Sequence, residues 1–206
     1  MWLLDIGNTT VKVKSDEGVA RFGVSEYRFP SEPFYYINVN PKLAQTLATM
    51  PQAQDIAQWF VFESTYRGLG VERIAACYTI ENGVVVDAGS AITVDVMREG
   101  RHMGGFIMPG LSATKASFAK ISSRLVYDLK PQTNLQQLPQ STEDALGYAT
   151  LKPVVLMIAD VRGDLPVYVT GGDGQRIVPY MEHAVYCEEL VFEGMQKAIK
   201  EKGRVC

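Results

Sequence analysis

Apolar and polar positions alternate along the start of the chain in three short bursts. "WLLDI" (2–6), "TVKVKS" (10–15) and "GVARF" (18–22) are rich in strand formers and are parted by Gly7 and by acidic residues. They predict a three-stranded antiparallel meander. "PFYYINVN" (33–40) predicts a further strand. Asn40 followed by Pro41 then predicts a helix start, with Asn as cap and Pro at the first helical position. Leu43, Leu47 and Met50 supply the apolar face of that helix. "WFVFE" (59–63) predicts a buried strand, and "VERIAACYTI" (71–80) a short helix that stops before the Glu81-Asn82-Gly83 turn.

After that turn the pattern restarts. "VVVDAGSAITVDVM" (84–97) has the grammar of the N-terminus: an apolar strand, an aspartate, a glycine turn and an alternating strand. Aligning Asp5 with Asp87 also matches Gly7 with Gly89 and Asn8 with Ser90. This predicts two related halves, residues 1–79 and 80–206. "HMGGFIMPG" (102–110) predicts a Gly-rich strand and turn, with Phe106 and Met108 pointing to a core. Leu111, Phe118, Ile121 and Leu125 fall at helical spacing. Ser141 and Asp144 make a capping-box variant at the start of a helix that Pro153 should kink or restart. "KPQTNLQQLPQ" (130–140) predicts a loop, "VYVTGGDG" (167–174) a strand entering a Gly-rich turn, and 188–201 a final amphipathic helix. Strand meanders interleaved with helices indicate an α/β protein.

Composition narrows the function. The 206 residues are 47% hydrophobic and 21% charged, with a net charge of −3. No basic stripe is present, so no nucleic-acid partner is expected. Apolar runs such as "PVVLMIA" fall far short of the roughly 20 residues that span a bilayer, so no membrane partner is expected either. No export leader is visible, and Cys77, Cys187 and Cys206 share no metal-ligand spacing; reduced thiols in the cytoplasm follow as the expectation. His102 and His183 sit in no zinc or hydrolase pattern and read as ordinary surface or strand residues.

Three glycine turns each follow an apolar strand: "DIGNTT", "DAGSA" and "TGGDG". Such a turn is either a hairpin or a nest whose backbone N–H groups receive an anion. The hydroxyls of Thr9, Thr10 and Ser90 and the amine of Lys12 favour the second use. Asp5 and Asp87 cannot meet phosphate directly, because two anions repel, but both make sense with a cation between. The P-loop and the G-x-G-x-x-G fingerprint are absent.

Paired acidic-Gly turns on duplicated halves resemble the acetate kinase, sugar kinase, Hsp70 and actin superfamily. Within it the sequence resembles the type III pantothenate kinases. "DIGNTTVK" (5–12), "GVER" (70–73), "DAGSAITVD" (87–95), "GGFIMPG" (104–110) and "TGGDG" (170–174) follow the family's order. The resemblance implies two ribonuclease-H-like (actin-like ATPase) domains with mixed central sheets flanked by helices. The first phosphate motif would lie in the first domain. The second motif, the adenosine-side turn and the C-terminal helix would lie in the second.

It also implies ATP-dependent phosphorylation of pantothenate, the first step towards coenzyme A, in a homodimer that needs Mg²⁺ and a monovalent cation, K⁺ or NH₄⁺. By position, Asp5 would orient hydrated Mg²⁺, and Ile6, Gly7, Asn8, Thr9, Thr10, Val11 and Lys12 would line the phosphate channel. Asp87 would hold the monovalent cation, with Ser90, Gly171 and Gly172 near the nucleotide. Tyr66, Gly70, Val71, Glu72, Arg73, Gly105, Ile107 and Thr142 would surround pantothenate, Thr142 reaching it from a partner subunit. Glu72 stands where the family has the aspartate that takes the hydroxyl proton, one C–C bond (~1.5 Å) longer. Asp95 is either an assistant near the cation or acceptor or an end-of-strand surface carboxylate. The alternative function is a weakly catalytic, nucleotide-binding transcription accessory.

Overall fold

A computed structural model describes residues 1–204; Cys206 lies outside the described residues. The chain divides into two compact units, one formed by 1–80 with the residues from Glu189 onward, the other by 81–188. The C-terminal helix therefore belongs with the first unit, not with the second half to which the sequence pattern assigned it.

The first unit holds a five-stranded sheet of β1 (Trp2–Ile6), β2 (Thr10–Ser15), β3 (Gly18–Gly23), β4 (Phe34–Asn38) and β5 (Ala53–Asp55), in the order β3-β2-β1-β4-β5. The first three strands form the antiparallel meander; β4 and β5 run parallel to β1. β1 is central, and Leu3, Leu4, Asp5 and Ile6 are all buried, because both of its faces are covered. On one face Leu4, Ile6, Val11, Val13, Phe34 and Tyr36 close over Leu47 of α1 (Pro41–Ala48).

In the same unit α2 (Val71–Cys77) packs on the C-terminal helix (Leu190–Lys202). The contact is close because position 194 carries no side chain: a Cβ there would overlap the Ala75 carbonyl. Tyr78 Oη donates to Glu201 at 2.6 Å, and Lys197 Nζ donates to the Tyr78 carbonyl at 2.8 Å. Burial, followed by the bond to Glu201, raises the Tyr78 phenol above its ordinary pKa. Lys14 forms an ion pair with Glu189.

The second unit repeats the plan. β6 (Gly83–Ala88), β7 (Ala91–Arg98), β8 (Arg101–Pro109), β9 (Val167–Thr170) and β10 (Ala184–Tyr186) lie in the order β10-β9-β6-β7-β8. Again a three-stranded antiparallel meander is continued by two parallel strands. Val84, Val86, Ile92, Val94, Val167 and Val169 form one core with Leu111 of α3 (Leu111–Ile121) and with Leu151, Val154 and Ile158 of α4 (Thr142–Arg162). Phe106 and Met108 pack against that core, as their alternation implied.

Several expectations are corrected. "WFVFE" is not a strand: Ala57–Trp59 makes a 3-10 turn, the chain onward is irregular, and Val61 is 88% exposed. Its aromatics anchor a loop instead, Trp59 edge-on to Tyr35 and Phe60 edge-on to Tyr78. The strand that forms nearby, β5, is polar and at a sheet edge, so it left no apolar signature. Pro153 does not restart α4, which continues through it from Thr142 to Arg162. Leu125 falls outside α3, in a 3-10 turn capped by Ser122, and Ile121 is 73% exposed. β10 was not anticipated, being three residues long and half-exposed. Asp95 is no surface carboxylate, whereas His102 is the strand residue that one of its two readings gave, on β8. Both are buried and in contact with each other.

Candidate functional site

Each unit places an aspartate-glycine turn at the carboxyl end of its central strand. This is where open α/β sheets bind ligands, because parallel neighbours leave a crevice beyond their strand ends. In the first unit the turn joins β1 to β2, closed by the Gly7 N–H donating to the Thr10 carbonyl at 2.9 Å. Asp5 precedes it, 6% exposed, and faces Lys12 across the ladder. Lys12 Nζ stands 3.3 Å from Asp5 Oδ2. Ile6 and Val11 are buried in the core and hold the turn through packing, whereas Asn8 and Thr9 are exposed and Thr10 half-buried. The motif is thus both a hairpin and an exposed row of polar groups beside a buried carboxylate.

A second group forms at the start of α2. The Arg73 guanidinium lies 4.7 Å from the Tyr66 ring centroid, a cation–π contact, and Arg73 itself is buried. Glu72 follows Gly70, the N-cap residue, by two positions. Its carboxylate folds back over Gly70, so that both oxygens occupy the space a Cβ at position 70 would take. A carboxylate at a helix N-terminus has the favourable end of the dipole. Val71 is half-buried beside it.

The third group is in the second unit. Asp87 is the penultimate residue of β6, and the Gly89 N–H donates to the Ala91 carbonyl at 3.0 Å to turn the chain. The backbone carbonyl of the exposed Ser90 accepts from the Gly110 N–H at 3.2 Å. Gly171, at φ +87°, presses against β6; a Cβ there would overlap Asp87 Oδ1 and the Ala88 carbonyl. The Asp173 N–H donates to that same carbonyl at 3.0 Å. The turns "DAGSA" and "TGGDG" are therefore packed into one surface, with Gly171 buried and Gly172 exposed.

Gly105 and Ile107 lie on the edge strand β8, opposite Asp95 and Thr93, and Ile107 is 58% exposed. Thr142 stands apart from the Asp87 turn in sequence, exposed on the first turn of α4. There Ser141 caps the helix, accepting from the Asp144 N–H at 3.2 Å. Hydrogen bonds from Lys130 and then from Ser141 hold the Asp144 carboxyl below the usual range.

Two features escaped the sequence reading. Asn40, legible only as a helix cap, also bonds the Gly7-Asn8 turn. Asp95 and His102 pair across a β-bulge between β7 and β8, which alternation alone does not reveal.

Among the described residues no three His, Cys, Asp or Glu side chains cluster to hold a metal. A magnesium ion retains several waters and takes one or two carboxylates with substrate phosphates, so the single carboxylate of Asp5, beside Lys12, fits such an ion. Asp87, cradled where residue 171 lacks a Cβ, fits a cation between carboxylate and ligand. No helix among the described residues is long and apolar enough to cross a membrane.

Comparison with known proteins agrees in sequence and in fold. Residues 47–162 match the profile of the type III pantothenate kinases. A type III pantothenate kinase of Campylobacter jejuni (strain RM1221) is 43% identical over 98% of this chain and 97% of its own length. A crystal structure from Campylobacter jejuni, described as a Baf family transcriptional activator, superposes with a TM-score of 0.91. It is 40% identical and covers 99% of this chain and 100% of its own. MreB 5 of Spiroplasma citri, 10% identical with a TM-score of 0.51 over 98% and 97% of the two chains, shares the actin-like ATPase fold.

Proposed function

Because the chain belongs to the type III pantothenate kinase family and is a pantothenate kinase, we propose that its duplicated aspartate turns divide the work of that reaction. The observation that supports this division is the repeated sheet, whose central strand carries an aspartate as its penultimate residue in each unit. Asp5 holds hydrated Mg²⁺, and Gly7 to Thr10 with Lys12 receive the phosphates of ATP. Asp87 holds a monovalent cation, K⁺ or NH₄⁺, and Ser90, Gly171 and Gly172 take the nucleotide side. Bound there, the cations would offset phosphate charge.

To the acceptor we assign Tyr66, Gly70, Val71, Glu72 and Arg73 of the first unit and, separately, Gly105, Ile107 and Thr142 of the second. The primary hydroxyl of pantothenate attacks the γ-phosphorus, the bond to the β–γ bridging oxygen breaks, and ADP leaves. Glu72 takes the hydroxyl proton. Arg73, oriented by the Tyr66 ring, supplies positive charge to the pantothenate carboxylate. Since phosphoryl transfer depends chiefly on positioning and charge neutralisation, the folded-back Glu72 suffices at a position where the family resemblance implies Asp. A homodimer and a cytoplasmic location complete the reading.

The test is product identification by mass spectrometry from ATP and pantothenate in K⁺ and in Na⁺ buffer. A phosphorylated pantothenate formed preferentially in K⁺ is expected, and none in either buffer contradicts the reading. The transcription-accessory reading rests on the description of the Campylobacter structure. Salt-independent binding to duplex DNA would favour it, while a net charge of −3 counts against phosphate-backbone contact.

A further inference from the structure

Asn40 is 4% exposed, and every polar atom of its side chain is committed. Oδ1 accepts from the Lys42 N–H at 3.0 Å, capping α1. Nδ2 donates to the carbonyls of Gly7 and Asn8, each at 3.4 Å. The amide cannot be flipped, since that would face its oxygen with two carbonyl oxygens. The residue is itself locked: its N–H donates to Asn38 Oδ1 at 2.9 Å, and Asn38 Nδ2 donates to its carbonyl at 3.1 Å. One position along, the Val39 N–H donates to the Ile6 carbonyl at 3.0 Å.

Three successive carbonyls, those of Ile6, Gly7 and Asn8, are thereby drawn toward the end of β4. A planar trans peptide sets each carbonyl opposite the N–H of the next residue. With the Gly7 and Asn8 carbonyls turned to Asn40, the N–H groups of Asn8 and Thr9 must point away from it. Two consecutive amides aimed together form the donor pair that an anion needs.

We propose that Asn40 is a positioning residue for the ATP phosphates, acting through the Gly7-Asn8-Thr9 backbone rather than by touching the nucleotide. This rests on the reading that the Asp5–Lys12 turn receives those phosphates. A helix cap alone would need only the Oδ1 acceptor, and Ser serves that purpose as well as Asn. The committed Nδ2 is what a cap does not require.

Asn40→Ser keeps a cap oxygen and removes the reach to both carbonyls. The experiment compares it with wild type and with Lys12→Ala, measuring KM for ATP, KM for pantothenate and the melting temperature. Asn40→Ser should raise KM for ATP about tenfold, the worth of roughly one charge-assisted hydrogen bond, and leave KM for pantothenate within about twofold. An unchanged KM for ATP in Asn40→Ser, with a raised one in Lys12→Ala, overturns the inference and leaves the phosphate turn standing. No change in either variant overturns the turn's role as well. Equal rises in both KM values with a lower melting temperature would show a merely structural residue and overturn the inference. Should Asn40→Ser not fold, Asn40→Asp preserves cap and shape while facing two carbonyls with an acceptor, and the same outcomes decide.

Discussion

His102 Nε2 lies 2.8 Å from Asp95 Oδ1, and both side chains are withdrawn from solvent. The contact crosses the irregularity where β8 slips its register against Val96 and Met97. Asp95 also faces Gly105, which the proposed acceptor site uses. Removing one partner of a buried hydrogen bond costs about 1–3 kcal/mol. Asp95→Ala should therefore lower unfolding free energy by about that amount in a denaturant titration. A loss under about 1 kcal/mol would show that the pair does not hold the bulge.

Glu72 offers a sharper test of chemistry. If its carboxylate takes the hydroxyl proton, Glu72→Gln should lower kcat on the order of a hundredfold or more with little change in melting temperature. Gly70→Ala should act in the same direction, because the new methyl group would displace the folded-back carboxylate. Unchanged turnover in Glu72→Gln removes the residue from the mechanism.

The seam between α2 and the C-terminal helix depends on Gly194. Ala has the better helix propensity, by about 1 kcal/mol. Its methyl group would nevertheless overlap the Ala75 carbonyl, a backbone atom that cannot swing aside. Overpacking typically costs about 1–3 kcal/mol, so after the propensity gain Gly194→Ala should cost a net of up to about 2 kcal/mol, read by chemical denaturation.

The first turn of α4 should weaken in acid. Lys130 and Ser141 hold the Asp144 carboxyl below its ordinary pKa in the folded chain. A depressed folded value stabilises above the unfolded pKa, and that contribution is lost as pH falls through the folded value. Amide exchange at Asp144 and Ala145 should accelerate as pH falls below the usual carboxylate range, once corrected for intrinsic rates. Ser141→Ala should advance the onset.

Much of this architecture is legible in the residues. The Asp5/Asp87 and Gly7/Gly89 matches announced a duplication, and both sheets have the same strand order because both halves repeat a meander followed by parallel strands. The helix cap at Asn40 and the box at Ser141 were equally plain, being local chemistry. What stayed hidden depends on distant partners. "WFVFE" has strand propensity, yet Tyr35 and Tyr78 recruit its aromatics into a loop. The C-terminal helix carries no mark saying which sheet it will join; its close packing on α2, with Gly194 against Ala75, is seen only in three dimensions. The second use of Asn40 and the meeting of Asp95 with His102 likewise need coordinates.

The division of labour between the two aspartates is tested most directly by cation titrations of the initial rate. Mg²⁺ and K⁺ are each varied against wild type, Asp5→Asn and Asp87→Asn, with ATP and pantothenate saturating. The account predicts that Asp5→Asn raises the Mg²⁺ needed for half-maximal rate and Asp87→Asn raises the K⁺ needed, each without moving the other ion. Variants that shift the same cation, or neither, would contradict it.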